Sequence, residues 1–336
     1  MRLELFTPDL ANRHEITHAI SCEFSYFYND VGKFTVVLPM DDYNLSIAQQ
    51  NSILYIVERG LAYEVVEVVL DCDSNEITLN GYSLNNRLER RVVAESATIV
   101  NVETDIYKAV SANLRGLAIQ LADKKGLTET VDATGIYGES LLTAVRPVLS
   151  DSGLGQRAKF DYRTKAITWE IYKGKDRTTG LDAVSFVQER GTAPGLVVDK
   201  DQSIYKNVCY CTAAYKDGTK FVVQAGTTDG NERRELWAEF SGDGQGENES
   251  NAAFETRVRN YAALQLGSHR DRIGFETDID GKELGTAYNV GDIVWCVSLR
   301  LGIKYKARIT GASFAQDANS QRVKITIGEP TLTVLR

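Results

Sequence analysis

Proline is scarce in this 336-residue chain, at five residues, and no Pro-rich or Gly/Ser-rich linker stands out. That excludes a long flexible tether, so the domains are expected to pack together rather than swing. Cysteine is sparse too. Cys22, Cys72, Cys209, Cys211 and Cys296 are odd in number and lack CxxC spacing, which argues against a disulfide framework and a zinc site. Such usage fits folding in a reducing cytoplasm. Cys209 and Cys211, two apart on an expected strand, share one face and read as small core or interface residues. No apolar run approaches the ~20 residues that span a bilayer, and the opening MRLELFTPDLANRHEI has no basic-then-apolar signal region. No membrane anchor is expected, and export would need lysis or assembly into a larger particle. Basic residues are outnumbered, 38 against 46 acidic, for a formal charge of −8 and a pI near 5.2. That balance opposes a protein whose main task is gripping nucleic acid. An acidic wall still permits DNA to pass without sticking.

Histidine is limited to His14, His18 and His269. A Ser-His-Asp triad would need one of them as base, and no Ser sits in a GxSxG setting. His14 and His18 could share a helical face, but they lie between a Pro-containing turn and a strand, with Glu15 the nearby carboxylate. They read as surface residues. Glu58, Glu64 and Glu67 might form the carboxylate pair of a glycosidase. Glu64 and Glu67 point to opposite strand faces, however, so a solvated face is the better reading. Asp71, Asp73 and Asn75 begin like a calcium loop, yet Glu76 and Tyr82 occupy its Gly and Glu positions, which leaves a turn. No catalytic residue, cofactor or metal is expected.

What is present is a pattern used twice. Residues 53–81, ILYIVERGLAYEVVEVVLDCDSNEITLNG, read strand, Gly turn, strand, Asp/Asn turn, strand, Gly. Residues 292–328, DIVWCVSLRLGIKYKARITGASFAQDANSQRVKITIG, repeat that grammar. Gly60 answers Gly302, Asp71–Asn75 answers Asp317–Ser320, and Gly81 answers Gly328. Identity between the two is low, so the likeness is one of pattern, and it points to an internal duplication. In a ring, two copies per subunit double the apparent symmetry.

The length requires two or more domains. Alternating strands at 2–6, 22–28, 33–38, 53–57, 62–70 and 76–79 give a first all-β domain over 1–95, a small barrel or sandwich. Apolar residues Ile106, Val110, Leu114, Leu117 and Leu121 predict a helix over 105–121 with Thr104 as N-cap. A second helix is expected over 139–149, kinked or ended near Pro147. With a hairpin at 158–172 they make an α+β middle domain, 96–195. Strands follow over 196–246, including 205–215 and 220–224. The acidic, Gly-rich segment 241–251 is the best candidate for a mobile loop. A helical insertion occupies 247–284, with its helix over 252–266 ending at Gly267. A second β-domain covers 285–336.

Two arginine clusters stand out. Segment 80–91, NGYSLNNRLERR, leaves a strand and ends in Arg87, Arg90 and Arg91; Arg233 and Arg234 follow an Asp-Gly-Asn turn. Each reads either as a solvated face or as a docking patch for carboxylates of a neighbouring subunit or partner. Too few aromatics are interleaved for a nucleic-acid patch.

These segments carry a family likeness. The hairpin leading into NGYSLNNRLERRVV at 80–93 resembles the tail-associated or baseplate-hub proteins of long-tailed bacteriophages. So do SIYKNVCY at 203–210 with the Arg233-Arg234-Glu235 corner, VGDIV at 290–294, RIT at 308–310 and KITIG at 324–328. The resemblance implies a mainly β fold with α+β insertions, in which two tube-like small β-barrels bracket helix-containing middle domains. It implies a homotrimer whose six barrels form a pseudo-six-fold ring at the virion tail tip, made in the host cytoplasm. Implied partners are the distal tail protein ring or tail tube, the tape-measure protein, and tip, spike or fibre proteins, with DNA transiting unbound. Many such proteins continue into fibre or lysin modules, whereas this sequence stops at Arg336, so any such activity is expected on another polypeptide. The rival readings are a cell-wall glycan-degrading enzyme with β accessory domains and a receptor-binding module. The first needs convergent carboxylates. The second needs exposed aromatics on a β-face; of Trp169, Trp237 and Trp295, two sit in apolar alternation and read as buried.

Overall fold

The structure, a computed structural model, describes residues 1–190, 197–267, 269, 272–278, 283–300, 302–317 and 320–334. It divides into two compact units, Met1–Val197 with Phe275–Arg336, and Val198–Gly274. The expected domain boundary near residue 195 falls outside the described residues, as does the tip of the Asp317–Ser320 turn.

In the first unit the chain opens with β1 (Leu3–Phe6), β2 (Arg13–Ile16), β3 (Ser21–Phe27) and β4 (Lys33–Pro39). A short helix α1 (Asp42–Ile47) precedes β5 (Ile53–Ile56), β6 (Leu61–Asp71) and β7 (Glu76–Ser83). Period-two alternation makes these strands: along β4 the buried residues are Phe34, Val36 and Leu38. Turns fall where the sequence punctuates, with Gly60 at φ +63° and Asn75 at φ +57°. Then come β8 (Ala97–Asn101), α2 (Val102–Asn113), β9 (Gln120–Leu121), β10 (Thr130–Ile136), α3 (Leu141–Asp151), β11 (Gly155–Asp161), β12 (Ala166–Tyr172) and β13 (Ser185–Val187). From β14 (Val197–Asp201) the chain enters the second unit: β15 (Val208–Ala214), β16 (Lys220–Ala225), β17 (Glu235–Glu239) and α4 (Asn251–Gly267). It leaves through β18 (Arg272–Asp278), the hydrogen-bonded neighbour of β14, and ends in β19 (Ile293–Ser298), β20 (Ile303–Asp317) and β21 (Gln321–Val334).

The duplicated pattern is a duplicated strand arrangement. The N-terminal repeat has the order β4-β7-β6-β5-β1, and the C-terminal repeat the order β18-β21-β20-β19-β13. In each, a long middle strand carries a bulge near its centre, between Val65 and Glu67 of β6 and between Ile309 and Gly311 of β20. Gly302 has the φ of Gly60, +63°. One element of the expectation needs correction. The repeats are not two barrels: among the described residues no sheet closes on itself. The distal half of β20, Gly311–Asp317, pairs antiparallel with β3 and fuses both repeats into one open sheet. Strand β20 is long enough for β19 to take its first half and β3 its second. A continuing sheet satisfies those backbone groups without closure.

Helix α2 begins at Val102, after the N-cap Asn101, rather than at Asp105. The Asp105 carboxylate accepts the N–H groups of Val100 and Asn101, at 3.0 and 2.8 Å, which fixes the earlier start. It ends before Leu121 because Arg115 and Gly116 turn left-handed, at φ +40° and +74°. Leu121 instead lies on β9, parallel to β12. Helix α3 is capped by the Ser140 hydroxyl, which accepts the Thr143 N–H at 3.1 Å, and it runs through Pro147 to Asp151. These helices share a core with Trp169, Leu84 and Leu88.

In the second unit the sheet β16-β15-β17 packs one face on α4. Cys209 and Cys211 are both fully buried against Phe254, Val258 and Ala262, the core pair their spacing predicts. Segment 241–250 is fastened to α4 by Arg257, which donates to the Asp243 and Gly244 carbonyls at 2.8 and 3.0 Å.

Candidate functional site

The first arginine cluster lies on a 3-10 helix, Leu84–Arg90, directly after β7. Three residues per turn place Arg87 and Arg90 on one face. Both reach the same carboxylate: Arg87 Nη2 donates to Glu64 Oε1 at 2.8 Å and Arg90 Nη2 to Glu64 Oε2 at 2.7 Å. Glu64 is buried, so its solvated reading is corrected: its carboxylate is compensated by the half-buried Arg87 and the more exposed Arg90. Glu67 is exposed and accepts from Asn80. The bulge after Val65 pairs it with Asn80 as Glu64 pairs with Tyr82, so the two share a strand face and the expected opposition is corrected. Arg91 turns the other way. Its Nε donates to the Leu114 carbonyl at 2.9 Å and so satisfies the end of α2. The cluster therefore clamps sheet to helix. Gly81 gives it room, since a Cβ there would collide with the Glu64 carbonyl and the Phe34 ring.

Arg233 and Arg234 lie in the second unit. Arg233 donates to Glu235 at 2.6 Å, to Asp229 at 3.1 Å and to the Tyr210 hydroxyl at 2.6 Å. Arg234 reaches the Gln202 carbonyl at 3.3 Å, and its guanidinium lies 5.7 Å from the Tyr205 ring centre. All five arginines thus have partners within the chain.

The VGDIV segment proves to be a structural knot. Gly291, at φ +103°, lies against the Tyr28 ring. Its carbonyl leaves no room for a side chain on Gly174. The buried Asp292 accepts from Arg177 Nε at 2.6 Å, from the Lys175 N–H at 2.8 Å and from the Asn289 N–H at 3.0 Å. Sequence reasoning missed this role. The acid after the Gly in an otherwise apolar segment was the available signal.

Among the described residues no group of three or more His, Cys, Asp or Glu is arranged for a metal, and no helix is long and apolar enough to cross a membrane. A shallow cleft of about 650 Å³ is lined by Asp30, Lys33, Tyr82, Glu89 and Arg146, among others. Asp30 and Arg146 pair across it at 2.7 Å.

The most perturbed acid of the first unit is Glu170 on β12. Burial raises its carboxyl, but hydrogen bonds from Lys159, Arg157 and Lys125 outweigh burial and hold it at about 2, below its ordinary 4.5. Because the folded value is depressed, its contribution is complete above the ordinary value and is lost as pH falls toward 2. The three cations are 38–51 % exposed, so screening reduces the contribution to roughly 1–2 kcal/mol. Urea titrations at pH 7 and pH 3 should show Glu170→Gln losing less stability between the two than the parent by roughly half that amount, because pH 3 still lies above the folded value. An equal loss in both would refute the assignment.

The model of the siphovirus ReqiPepy6 Gp37-like proteins matches residues 2–329. The chain belongs to that family. No curated protein matches its sequence. Its fold is that of a tail protein from Neisseria meningitidis, at 11% identity and a TM-score of 0.63 over 98% of this chain and 96% of that one. The 43 kDa tail protein of prophage MuSo2 from Shewanella oneidensis is similar at 12% identity and a TM-score of 0.60, over 97% of each. A chain of the lidded Francisella PdpA-VgrG complex gives a TM-score of 0.50 at 8% identity, covering 100% of this chain and 54% of that one. The expected likeness to long-tailed phage proteins is therefore borne out. At these identities the solved structures speak to fold.

Two further surface features of this Gp37-like chain were not read from its sequence. Trp237, on β17, is 61% exposed, and Val222, on β16 of the same sheet, is also exposed. The distal half of β6 exposes Val66, Val69 and Leu70.

Proposed function

We propose that the chain is a structural hub at the distal end of a siphovirus tail, forming a trimeric, pseudo-six-fold ring. The ring joins the tail tube, or a distal tail protein ring, to tip, spike or fibre proteins, receives the end of the tape-measure protein and lets DNA through. The observation that carries this reading is the pair of repeats in one sheet. Three chains supply six similar repeats, which suits a junction between six-fold and three-fold partners. Family membership and the shared fold with phage tail proteins support it, and the net charge of −8 suits a lumen that does not hold DNA. Within this reading the segments 1–95, 96–195, 196–246, 247–284 and 285–336 are its modules. Arg87, Arg90, Arg91, Arg233 and Arg234 contact subunits or partners with donors left over from their internal bonds. Its role is mechanical rather than enzymatic. Receptor binding is the second reading, favoured by the exposed Trp237.

Light scattering over a range of concentrations tests the proposal. The expected mass is three times 37.2 kDa. A chain that stays monomeric, alone and with purified tail tubes, would reject it. Turnover of cell-wall glycans would favour the enzyme instead.

A further inference from the structure

Strand β6 has one paired edge and one that is half open. On the β7 side pairing runs from Tyr63 to Asp71. On the other side β5 covers Leu61–Glu64, and Val65 closes the contact with backbone bonds to Asn51 and Ser52. Beyond Val65 no strand among the described residues pairs with that edge. It is an apolar edge, VEVVL, with Val69 43% and Leu70 52% exposed. Such an edge invites pairing with another chain, and natural proteins normally blunt it.

The C-terminal repeat shows what covers it. Aligned on the bulges, Glu67–Asp71 of β6 answers Gly311–Ala315 of β20. In β20 that stretch is covered by β3, the first strand of the N-terminal repeat. Leu70 then answers Phe314, which is 3% exposed because Tyr26 of β3 stacks on it at 5.8 Å. The strand that answers β3 in the C-terminal repeat is β14. It lies beside β18 as β3 lies beside β4.

We infer that the open edge of β6, Val66–Asp71, is filled by β14, Val197–Asp201, from a second copy of this chain. This deepens the ring reading and rests on it. Within one chain β3 joins the N-terminal repeat to the C-terminal one. Between chains β14 joins the C-terminal repeat of one to the N-terminal repeat of the next. The contact is head to tail and uses different surfaces on the two partners, the kind that closes a ring after a fixed number of copies. Main-chain hydrogen bonds supply the affinity and the exposed valine and leucine side chains the register.

The test uses the full chain in two measurements. The double variant Val69→Asp, Leu70→Asp places charges where solvent already reaches, so its far-UV spectrum and melting temperature should stay close to those of the parent. Its mass by light scattering should fall to one chain. In parallel, hydrogen exchange of the parent is compared between dilute monomer and assembly. Amides in 66–71 and 197–201 should slow together, by about tenfold or more. A variant that assembles like the parent, or an assembly in which 66–71 exchanges as in the monomer, overturns the inference and leaves the ring reading standing. A parent that never assembles removes both.

Discussion

Replacing Asp292 by Ala is expected to lower the unfolding free energy by about 3–5 kcal/mol, the cost of breaking a buried ion pair by removing one partner. The carboxylate is buried and accepts three donors, Arg177 Nε and the N–H groups of Lys175 and Asn289. Alanine leaves a buried guanidinium whose other carboxylate partner, Asp182 at 3.1 Å, is 68% exposed. It also orphans two backbone donors, each costing of order 1–3 kcal/mol if buried. Asparagine keeps an acceptor of the same shape and should lose about half as much. Removing the exposed pair Arg146–Asp30 should cost at most about 1 kcal/mol. Urea unfolding of the three variants checks the order. A loss under about 1 kcal/mol for Asp292→Ala would mean that the VGDIV knot does not hold the fold.

Six of the seven strands between residues 2 and 83 were legible because each alternates and is bounded by its own turn chemistry; β2, Arg13–Ile16, whose four residues include only one buried apolar side chain, was not. The likeness of Gly60 and Gly302 was legible for the same reason: both turns need a left-handed residue, and both have φ of +63°. Closure was not legible. Whether a set of strands closes or continues depends on which distant edge meets which. The pairing of Ser21–Phe27 with Gly311–Asp317 leaves no local mark on either segment. Pairing near in sequence can be read from pattern, whereas pairing across nearly the whole chain is set by the sheet.

The arginine clusters were half legible. Density and position marked Arg87, Arg90, Arg91, Arg233 and Arg234, but a carboxylate acceptor is local only for Arg233, whose Asp229 and Glu235 stand within four residues. Arg87 and Arg90 find Glu64 on another strand, and Arg91 finds a helix end. Charge spacing shows that guanidiniums gather. Only the fold shows that a buried carboxylate gathers them, and an isolated Glu in an apolar strand was the clue.

Trp169→Ala should cost about 3–5 kcal/mol, the range for emptying a large buried aromatic site. Trp169 is 0% exposed, its ring centre lies 5.6 Å from that of Tyr107, and its Nε1–H donates to Gln156 Oε1 at 2.9 Å. Alanine would therefore both open a cavity and strand the oxygen of a fully buried amide. Phenylalanine refills most of the volume but leaves the amide unpaired, so Trp169→Phe should cost roughly 1–2 kcal/mol. The effect should spread in a definite direction. The core around Trp169 also contains Leu84 and Leu88, which flank Arg87 on the 3-10 helix. Loosening that core should speed amide exchange in Leu84–Arg90 and at Glu64, while amides of Val208–Ala214, in the second unit, keep their rates. Exchange that accelerates equally in both units would show instead that the two unfold as one, and the clamp between sheet and helices would lose its separate role.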